Sequence, residues 1–331
     1  MTRPITLLTG QWTDLPFEKV AELAGGWGYE GLEIACWSDQ LDPWRWDDEE
    51  YVAGKKAVLE KNGLGVWAVS NHLKGQAVCD DPIDQRHRDI LSHRVWDDGE
   101  PEGVRRRAAE ELKSTARLTA KLGVKTVTGF TGSSIWKYVA TFPPASKQMV
   151  DAGYEDFANR LNPILDVFHE VGVRFAHEVH PSEIAYDYWT AVRTVEAISH
   201  REAFGLNWDP SHMVWQDLDP VSSLCDFRHR IYNVHVKDTK RRMSNRAMGL
   251  GSHPAWGRSA SRLGLHLDRT GDVPWENAFR MLKAIDYRGP LSAEWEDAGM
   301  DRVTGARGSR VREAPRLRPT GAAFDAALNT K

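Results

Sequence analysis

Cysteine is scarce in this chain. The 331 residues include only three cysteines, Cys36, Cys79 and Cys225. Cysteines so far apart do not suggest a disulfide framework, and no Cys-x-x-Cys pair of the kind that binds zinc is present. Because disulfide-rich proteins belong to oxidising compartments, this usage fits a reducing one. We therefore expect a cytoplasmic protein.

Long apolar runs and a surplus of one charge are also missing. No stretch approaches the roughly 20 apolar residues of a membrane-spanning helix, and the apolar stretch near the start is too short for a signal peptide. The 43 basic and 47 acidic residues give a formal net charge of -4. We therefore expect no membrane association, and the absence of a basic surplus predicts no nucleic-acid partner.

Short apolar runs that alternate with helical patterns fill the sequence instead. Four runs, at residues 5–9, 31–35, 65–70 and 124–128, read as strands, and four more end at Glu178, Asp209, His235 and Glu294. Eight buried strands separated by helices predict an α/β fold, a single-domain (β/α)₈ TIM barrel. A doubly wound open sheet is the alternative, but no Gly-x-Gly-x-x-Gly turn follows the first strand.

The barrel is expected to span residues 1–297, followed by a C-terminal extension at 298–331. The spacing of the later strands leaves an insertion at residues 239–270 after strand seven. Polar segments at 72–101 and 131–148 also follow strands, which predicts loops on the same rim. Asp14 is expected to cap the first helix, and residues 156–171 are expected to be helical.

Carboxylates and one imidazole end the last four strands. Because the carboxyl ends of barrel strands meet at one mouth, Glu178, Asp209, His235 and Glu294 are expected to cluster. Ionised acids there are costly unless they are paired or bind a metal. Such oxygen and nitrogen ligands suit Mn²⁺, Mg²⁺, Co²⁺ or Zn²⁺; the alternative is a set of acids paired with arginines. Strand alternation directs His180 and Lys237 to the same mouth.

Several motifs then suggest a family. They are Gly-Tyr-Glu-Gly-Leu-Glu33, Asp209-Pro-Ser-His212, His235-Val-Lys-Asp238, Gly271-Asp-Val-Pro-Trp275 and Ala293-Glu-Trp-Glu-Asp297. With them the chain resembles the sugar phosphate isomerase/epimerase superfamily of xylose-isomerase-like TIM barrels, over residues 5–297. The resemblance implies that the four strand-end residues bind one divalent metal, most often Mn²⁺. It also implies abstraction of a proton next to a sugar carbonyl.

A narrower resemblance rests on Ser70-Asn-His-Leu-Lys-Gly75, the segment 129–136 and Glu178-Val-His180. These segments are similar to the large subunits of bacterial C-glycoside deglycosidases. That likeness implies a lyase that removes the proton next to the ketone of a 3-keto glycoside and eliminates the aglycone. It also implies a small β-sandwich partner subunit in a hetero-oligomer.

Other functions use the same elements. A metal-dependent sugar isomerase or epimerase, such as a ketose 3-epimerase, and an inosose dehydratase-like enzyme need the same metal and base. A DNA-repair endonuclease shares the barrel but carries more metal ligands and a basic groove. A non-catalytic binding subunit would not need the complete ligand set.

Roles for individual residues follow from the resemblance and from their positions. His180 is expected to be a general base or to support a ligand. Lys237 is either an electrophile near the developing oxyanion or a salt-bridge partner of Glu296 or Asp238. Glu33 is expected to be a structural acid. The candidate catalytic residues are His180, Glu178, Glu294 and Lys237, and the candidate substrate-binding residues are His72, His212, Trp136 and Asn71.

Overall fold

Eight parallel strands close into a barrel, in the computed structural model, which describes residues 3–241, 263–266, 271–297 and 299–308. The barrel strands are β1 Ile5–Leu8, β2 Gly31–Ala35, β3 Gly65–Ser70, β4 Thr126–Gly129, β5 Arg174–Glu178, β6 Phe204–Trp208, β7 Ile231–Val236 and β10 Leu291–Ala293. Their order around the barrel is β1, β10, β7, β6, β5, β4, β3, β2. The (β/α)₈ barrel expected from the alternation of apolar runs and helices is confirmed.

Helices surround these strands. None of the described helices is long and apolar enough to cross a membrane. They are α1 Phe17–Gly26, α2 Glu49–Lys61, α3 His72–Cys79, α4 Gln85–Arg88, α5 His93–Trp96, α6 Pro101–Lys121, α7 Lys147–Glu170, α8 Tyr188–Ala197, α9 Pro210–Trp215, α10 Ser222–Asp226, α11 Trp275–Ala284 and α12 Arg302–Gly308.

An aromatic cluster anchors the strands that carry the site. Phe175 of β5 lies 5.9 Å, ring to ring, from Phe204 of β6. Phe157 and Phe168 of α7 close the cluster from outside at 6.1 and 5.7 Å. All four side chains are fully buried, and each contributes about 1.5–3 kcal/mol by leaving water. The cluster therefore fixes the amino ends of β5 and β6 against α7.

The segment at residues 72–101, expected to be a loop, contains three short helices, α3, α4 and α5. Most residues of helix α3 are buried, so its sequence does not show the separate apolar and polar faces by which a surface helix is recognised. Its Lys74 is buried because the ammonium donates a hydrogen bond to the carbonyl of Cys36 at 3.1 Å and lies 3.8 Å from Glu111. Tertiary contacts, rather than the local sequence pattern, therefore determine that this segment is helical.

Two helix starts also differ from expectation. Helix α7 begins at Lys147, nine residues earlier than expected, because the hydroxyl of Ser146 accepts a hydrogen bond from the amide of Met149. Asp14 does not cap α1. The Phe17 amide donates to Asp39 instead, at 3.0 Å, and Asp14 pairs with Arg302 of α12 at 2.6 Å.

The expected insertion begins with a hairpin. Strands β8 Asp238–Arg241 and β9 Leu263–His266 pair in antiparallel fashion. The Asp238 carboxylate accepts hydrogen bonds from the amides of Gly271 and Val273 and the indole of Trp275, which fixes the return of the chain to the barrel. Residues 242–262 and 267–270 of the expected insertion lie outside the described residues.

The start of the expected C-terminal extension packs on the barrel. The hydroxyl of Tyr29 donates a hydrogen bond to the carbonyl of Ala306 in α12 at 2.8 Å, and Ala306 is buried. Residues 298 and 309–331 lie outside the described residues. The boundary between a barrel at 1–297 and an extension at 298–331 stays a prediction.

Candidate functional site

The four strand-end residues meet at the mouth of the barrel. Glu178 ends β5, Asp209 follows β6, His235 lies in β7 and Glu294 follows β10. One oxygen or nitrogen atom from each lies within 4.8 Å of the others. All four are buried, with exposed fractions of 2%, 0%, 0% and 9%. The structure therefore brings together every residue that the strand-end pattern selected; we call this set the four-ligand group.

The orientation of His235 directs its second nitrogen into this group. Its Nε2 lies 3.0 and 3.1 Å from the two carboxylate oxygens of Glu33 on β2. Its Nδ1 lies 3.1 Å from an oxygen of Glu178 and 3.1 Å from an oxygen of Glu294. Burial would lower the pKa of His235, but Glu33, Glu294 and Glu178 raise it well above its usual range, so Nδ1 carries a proton between the two carboxylates, at a position where a cation would replace that proton.

Two atoms of the group are buried without a hydrogen bond. Nδ1 of His235 and Oδ2 of Asp209 have no partner of acceptable geometry among the described residues, although the Lys237 ammonium lies 3.0 Å from Oδ2. Since both atoms are metal-ligand types and point to a shared centre with Glu178 and Glu294, the donor set fits a divalent cation.

Two asparagines form a network beneath the group. Asn207 of β6 donates to an oxygen of Glu178 at 2.8 Å. Asn233 of β7 donates to Asn207 at 3.0 Å and to Glu33 at 3.2 Å. The barrel register shifts between Leu206 and Asn207, and such irregularities re-aim side chains. The signal in the sequence was alternation, which places each asparagine on the face of a ligand two residues away.

A second register shift lies at Glu33. It falls between Leu32 and Glu33, where β2 pairs with β3. Burial alone would raise the pKa of Glu33, but the charge of His235 and hydrogen bonds from its neighbours lower it. The carboxylate is therefore ionised and accepts hydrogen bonds from His235 and Thr128. These contacts agree with the structural role expected for Glu33.

Lys237 is an integral part of the site. Its ammonium lies 2.7 Å from Glu294, 3.0 Å from Asp209 and 3.3 Å from Glu296. Burial would lower the pKa of Lys237, but Asp209 and Glu294 raise it well above its usual range. The side chain therefore stays charged and compensates part of the carboxylate charge. Of the two salt bridges considered from the sequence, the one to Glu296 is present.

Besides His235, two histidines contact Glu178, and His180 lies next to one of them. Nε2 of His72, at the start of α3, lies 3.0 Å from one Glu178 oxygen, and its Nδ1 lies 2.7 Å from the Ser70 hydroxyl. Nε2 of His212, in the first turn of α9, lies 3.2 Å from the other Glu178 oxygen without hydrogen-bond geometry. The ring of His180 lies 4.0 Å from that of His212.

His180 is half-buried at the same mouth. Its Nδ1 contacts the carbonyl of Pro181, and its ring lies 4.9 Å from Phe130. Burial, together with the neighbouring charges of His212 and Lys237, lowers the pKa of His180 well below its usual range. A neutral imidazole in a site lined by Phe130 can accept a proton.

Two sequence-selected residues lie away from the four-ligand group. The amide of Asn71 donates to the hydroxyl of Thr115 in α6 at 2.8 Å, so this side chain is directed to the helical layer. The contact expected between Asn71 and a substrate stays a prediction. Trp136 lies in the segment after β4 and contacts Tyr186 at 5.1 Å, in a neighbouring cavity.

One residue that contacts the four-ligand group was not predicted from the sequence. The side-chain amide of Gln11, in the segment after β1, donates to Glu294 at 3.3 Å. Position was the only available signal, because Gln11 follows a strand whose carboxyl end faces the mouth.

Comparison with known proteins supports the fold. A family model described as a xylose isomerase-like TIM barrel matches residues 21–318. The uncharacterized protein YfiH of Bacillus subtilis (strain 168) is 26% identical over an alignment of 332 positions, gaps included, and the alignment covers 92% of this chain and 96% of YfiH.

Solved structures share the barrel at low identity. The probable 3-DHS dehydratase AsbF from Bacillus anthracis has a TM-score of 0.65 at 17% identity, covering 93% of this chain and 98% of that one. The 3-keto-D-glucoside 4-epimerase YcjR from E. coli has a TM-score of 0.64 at 14% identity, covering 96% and 100%. The D-allulose 3-epimerase from Methylomonas sp. has a TM-score of 0.62 at 19% identity, covering 96% and 99%. Identities this low show a shared fold alone.

Proposed function

Because the chain belongs to the family of xylose isomerase-like TIM barrels, we propose that it is a divalent-metal-dependent sugar isomerase or epimerase. It moves the proton on the carbon next to a sugar carbonyl. The observation that carries this proposal is the four-ligand group, whose donor atoms lie within 4.8 Å of one another. The buried Nδ1 of His235 and Oδ2 of Asp209, neither of which has a hydrogen bond of acceptable geometry within the described part of the chain, add to it.

The residues would divide the work as follows. A divalent cation held by Glu178, Asp209, His235 and Glu294 would act as a Lewis acid toward the sugar carbonyl. Lys237, a buried ammonium 2.7 Å from Glu294, would add positive charge where negative charge develops. His180 would exchange the carbon-bound proton, and the ring of Phe130 beside it would exclude water.

The remaining residues would position the substrate and the ligands. His72 and His212, which contact opposite oxygens of Glu178, are proposed to bind substrate hydroxyls. Glu294 and Glu178 are further candidates for proton transfer, since both lie at the mouth. Mn²⁺ is the proposed metal, because oxygen-rich donor sets with one imidazole suit it.

The names of proteins with the same fold lend support. A 3-keto-D-glucoside 4-epimerase acts, by its name, on the carbon beside a ketone. A D-allulose 3-epimerase is likewise named for inversion at one carbon of a sugar. Both reactions require a weakly acidic C–H bond to be broken and then formed again, which is the chemistry proposed here.

A second candidate is a lyase that acts on 3-keto glycosides. In that reaction a base removes the proton from the carbon next to the ketone, and the aglycone is eliminated from the adjoining carbon on the side away from the ketone. The observation that favours it is a cavity of about 410 Å³ between the segments that follow β4 and β5, which is lined by Trp136, Tyr138, Tyr154 and Tyr186 and is large enough for an aromatic leaving group. A small β-sandwich partner subunit belongs to this candidate only, and co-elution with such a protein in size-exclusion chromatography would support it.

Proton exchange and product analysis test both candidates. The purified protein is stripped with EDTA, reloaded with Mn²⁺ and incubated in D₂O with free ketoses and with 3-keto C- and O-glycosides. We expect Mn²⁺-dependent deuterium incorporation next to the carbonyl. Epimer or isomer products support the first candidate, and aglycone release supports the second.

Variants separate metal binding from proton transfer. Glu178→Gln should lose bound metal and activity, whereas His180→Ala should keep the metal and lose exchange by about 10²-fold or more. Glu60→Gln, an exposed position on α2, is the matched control. Exchange that is unaffected by EDTA and by both variants would exclude the proposed chemistry.

A further inference from the structure

The C-terminal helix α12 contacts the segment that carries Gln11. The guanidinium group of Arg302 donates a hydrogen bond to the backbone carbonyl of Gln11 at 2.9 Å. It also donates to both carboxylate oxygens of Asp14, each at 2.6 Å. Its Cζ atom lies 4.8 Å from the ring centre of Trp12, whose side chain is fully buried. Arg302 therefore holds residues 11–14, which follow β1, through three different contacts.

These contacts together restrain the segment more strongly than a surface ion pair would. A single exposed pair contributes little to stability. The guanidinium of Arg302 meets Asp14 through two parallel N–H bonds, which fix its orientation as well as its position. Its side chain is only 28% exposed, and the ring of Trp12 adds a cation–π contact. The carbonyl of Gln11 is thus bound by a donor that is itself held in place.

Gln11 passes this restraint to Glu294. Its side-chain amide donates a hydrogen bond to Oε1 of Glu294 at 3.3 Å. The other oxygen, Oε2, lies 3.1 Å from Nδ1 of His235 and 2.7 Å from the ammonium of Lys237. Because metal-binding carboxylates are held by hydrogen bonds from neighbouring groups, the contact with Gln11 favours the rotamer in which Oε2 faces the other members of the four-ligand group.

Helix α12 also contacts the residue that follows Glu294. Gly305 packs against the indole of Trp295, and a Cβ atom on Gly305 would collide with the indole nitrogen. The hydroxyl of Tyr29 donates to the carbonyl of Ala306 at 2.8 Å, which holds the helix on the barrel. Helix α12 therefore lies against both segments next to Glu294, residues 11–14 and the end of β10.

We propose that Arg302 and Gln11 are positioning residues for the metal site. Arg302 fixes Gln11, and Gln11 fixes the carboxylate of Glu294 with Oε2 directed at the other three ligands. This inference rests on the proposed function only in requiring that the four-ligand group binds a divalent cation. The affinity of that group then depends on a helix that lies outside the barrel expected at residues 1–297.

Metal affinity measures the contribution of each residue. The full-length protein is stripped with EDTA, and its Mn²⁺ dissociation constant is determined by competition with a chelator of known affinity. Gln11→Leu removes the amide that binds Glu294 and should weaken Mn²⁺ binding about 10–100-fold. Arg302→Met should weaken it about 10-fold, at the lower end of that range, because Arg302 acts only through Gln11.

Arg288→Met is the matched control. The guanidinium of Arg288 donates to both oxygens of Asp286, at 3.1 and 2.8 Å, so the variant also removes a paired Arg–Asp contact. Arg288 precedes β10 and lies at the end of the barrel opposite the mouth. This variant should leave the Mn²⁺ dissociation constant unchanged.

A double variant separates positioning from a general loss of stability. If Arg302 acts through Gln11, adding Arg302→Met to Gln11→Leu should weaken Mn²⁺ binding by no more than about 2-fold beyond Gln11→Leu alone. A general loss of stability would reduce the affinity equally in both backgrounds. The visible absorption spectrum of bound Co²⁺ depends on the geometry of its ligands. It should change in Arg302→Met and stay the same in Arg288→Met.

Four results would overturn the inference, whatever sugars react. They are unchanged affinity in Gln11→Leu, equal affinities of Arg302→Met and Arg288→Met, an unchanged Co²⁺ spectrum in Arg302→Met, and single losses that multiply in the double variant. The expected losses in a protein that exchanges no proton with any sugar would support the inference and overturn the proposed function. A natural protein that binds no divalent cation would overturn both.

Discussion

Glu33 on β2 holds His235 on β7 across the barrel, with its two carboxylate oxygens 3.0 and 3.1 Å from the Nε2 atom of the imidazole. This contact leaves Nδ1 facing Glu178 and Glu294. Carboxylates that hold a histidine in this way fix the tautomer and the ring orientation of a metal ligand. The affinity of the four-ligand group for a cation should therefore depend on a residue that does not belong to it.

Glu33→Gln should weaken Mn²⁺ binding by about 10–100-fold. The amide keeps the shape of the side chain but removes the charge that favours a proton on Nε2. Competition with a chelator of known affinity measures the effect. Glu60→Gln on the exposed face of α2 controls for the loss of one negative charge. Equal affinities of the two variants would contradict the role of Glu33.

Lys237→Met should destabilise the metal-free protein by about 3–5 kcal/mol, because it leaves buried carboxylates without their cation. Saturating Mn²⁺ should shrink that difference, since a bound cation replaces the lost charge. Urea unfolding with EDTA and with Mn²⁺ measures both values. Lys240→Met removes an exposed ammonium 2.6 Å from Asp272 and should cost less than about 1 kcal/mol in either condition. A loss that Mn²⁺ leaves unchanged would argue against this account.

Two glycine substitutions should act in opposite directions. A Cβ atom on Gly75 of α3 would lie 2.1 Å from the carbonyl oxygen of Phe130, so Gly75→Ala forces backbone to move and should cost about 1–3 kcal/mol. Gly54 of α2 has open space around it, and Gly54→Ala should stabilise the protein by about 1 kcal/mol. Free energies of unfolding from urea titration compare them. Gly75→Ala should also weaken Mn²⁺ binding, because His72, which contacts Glu178, is the first residue of the same helix.

Glu183 should make the stability depend on pH. Burial, reinforced by the charge of Asp80, raises the pKa of Glu183 to about 8 from an ordinary value of 4.5. Between these values the native state binds more protons than the unfolded state, so the contribution of Glu183 to stability falls as pH rises. It is fully present below about pH 4.5 and lost above about pH 8.

Comparison with Glu183→Gln isolates this effect. The glutamine side chain keeps an oxygen that can accept hydrogen bonds from the backbone amides of Thr131 and Gly132, but it does not titrate. The free energy of unfolding of the natural protein, minus that of the variant, should fall by about 1.4 kcal/mol per pH unit across this window. Urea titrations of the metal-free proteins at pH 5, 6.5 and 8 measure it. A difference that does not change with pH would show that Glu183 is ionised throughout.

The sequence was most informative where strands end. Strands β2 and β3 have the limits expected from their apolar runs, and Glu178, Asp209, His235 and Glu294 were selected before any contact was known. This succeeded because parallel barrel strands are buried on both faces, so that a polar residue at a strand end stands out. The barrel then brings all such ends to one mouth.

The sequence was least informative where polar residues are buried by distant partners. Helix α3 was expected to be a loop, since it has no apolar stripe, and its burial depends on contacts such as that of Lys74 with Glu111 of α6. The side-chain amide of Asn71 donates a hydrogen bond to Thr115, 44 residues away, and this contact was not expected from the sequence. A local sequence pattern does not indicate which distant residues will pair in the folded protein.

The sequence by itself determined the alternation of strands and helices, and with it the barrel and the identity of the four residues at its mouth. Only the tertiary structure decided how those residues face one another. The tautomer favoured at His235 depends on Glu33, two hundred and two positions away in the chain. The charge around the group depends on Lys237, which contacts carboxylates from two other strand ends. Residue type follows from local pattern, but orientation and protonation follow from neighbours that only folding supplies.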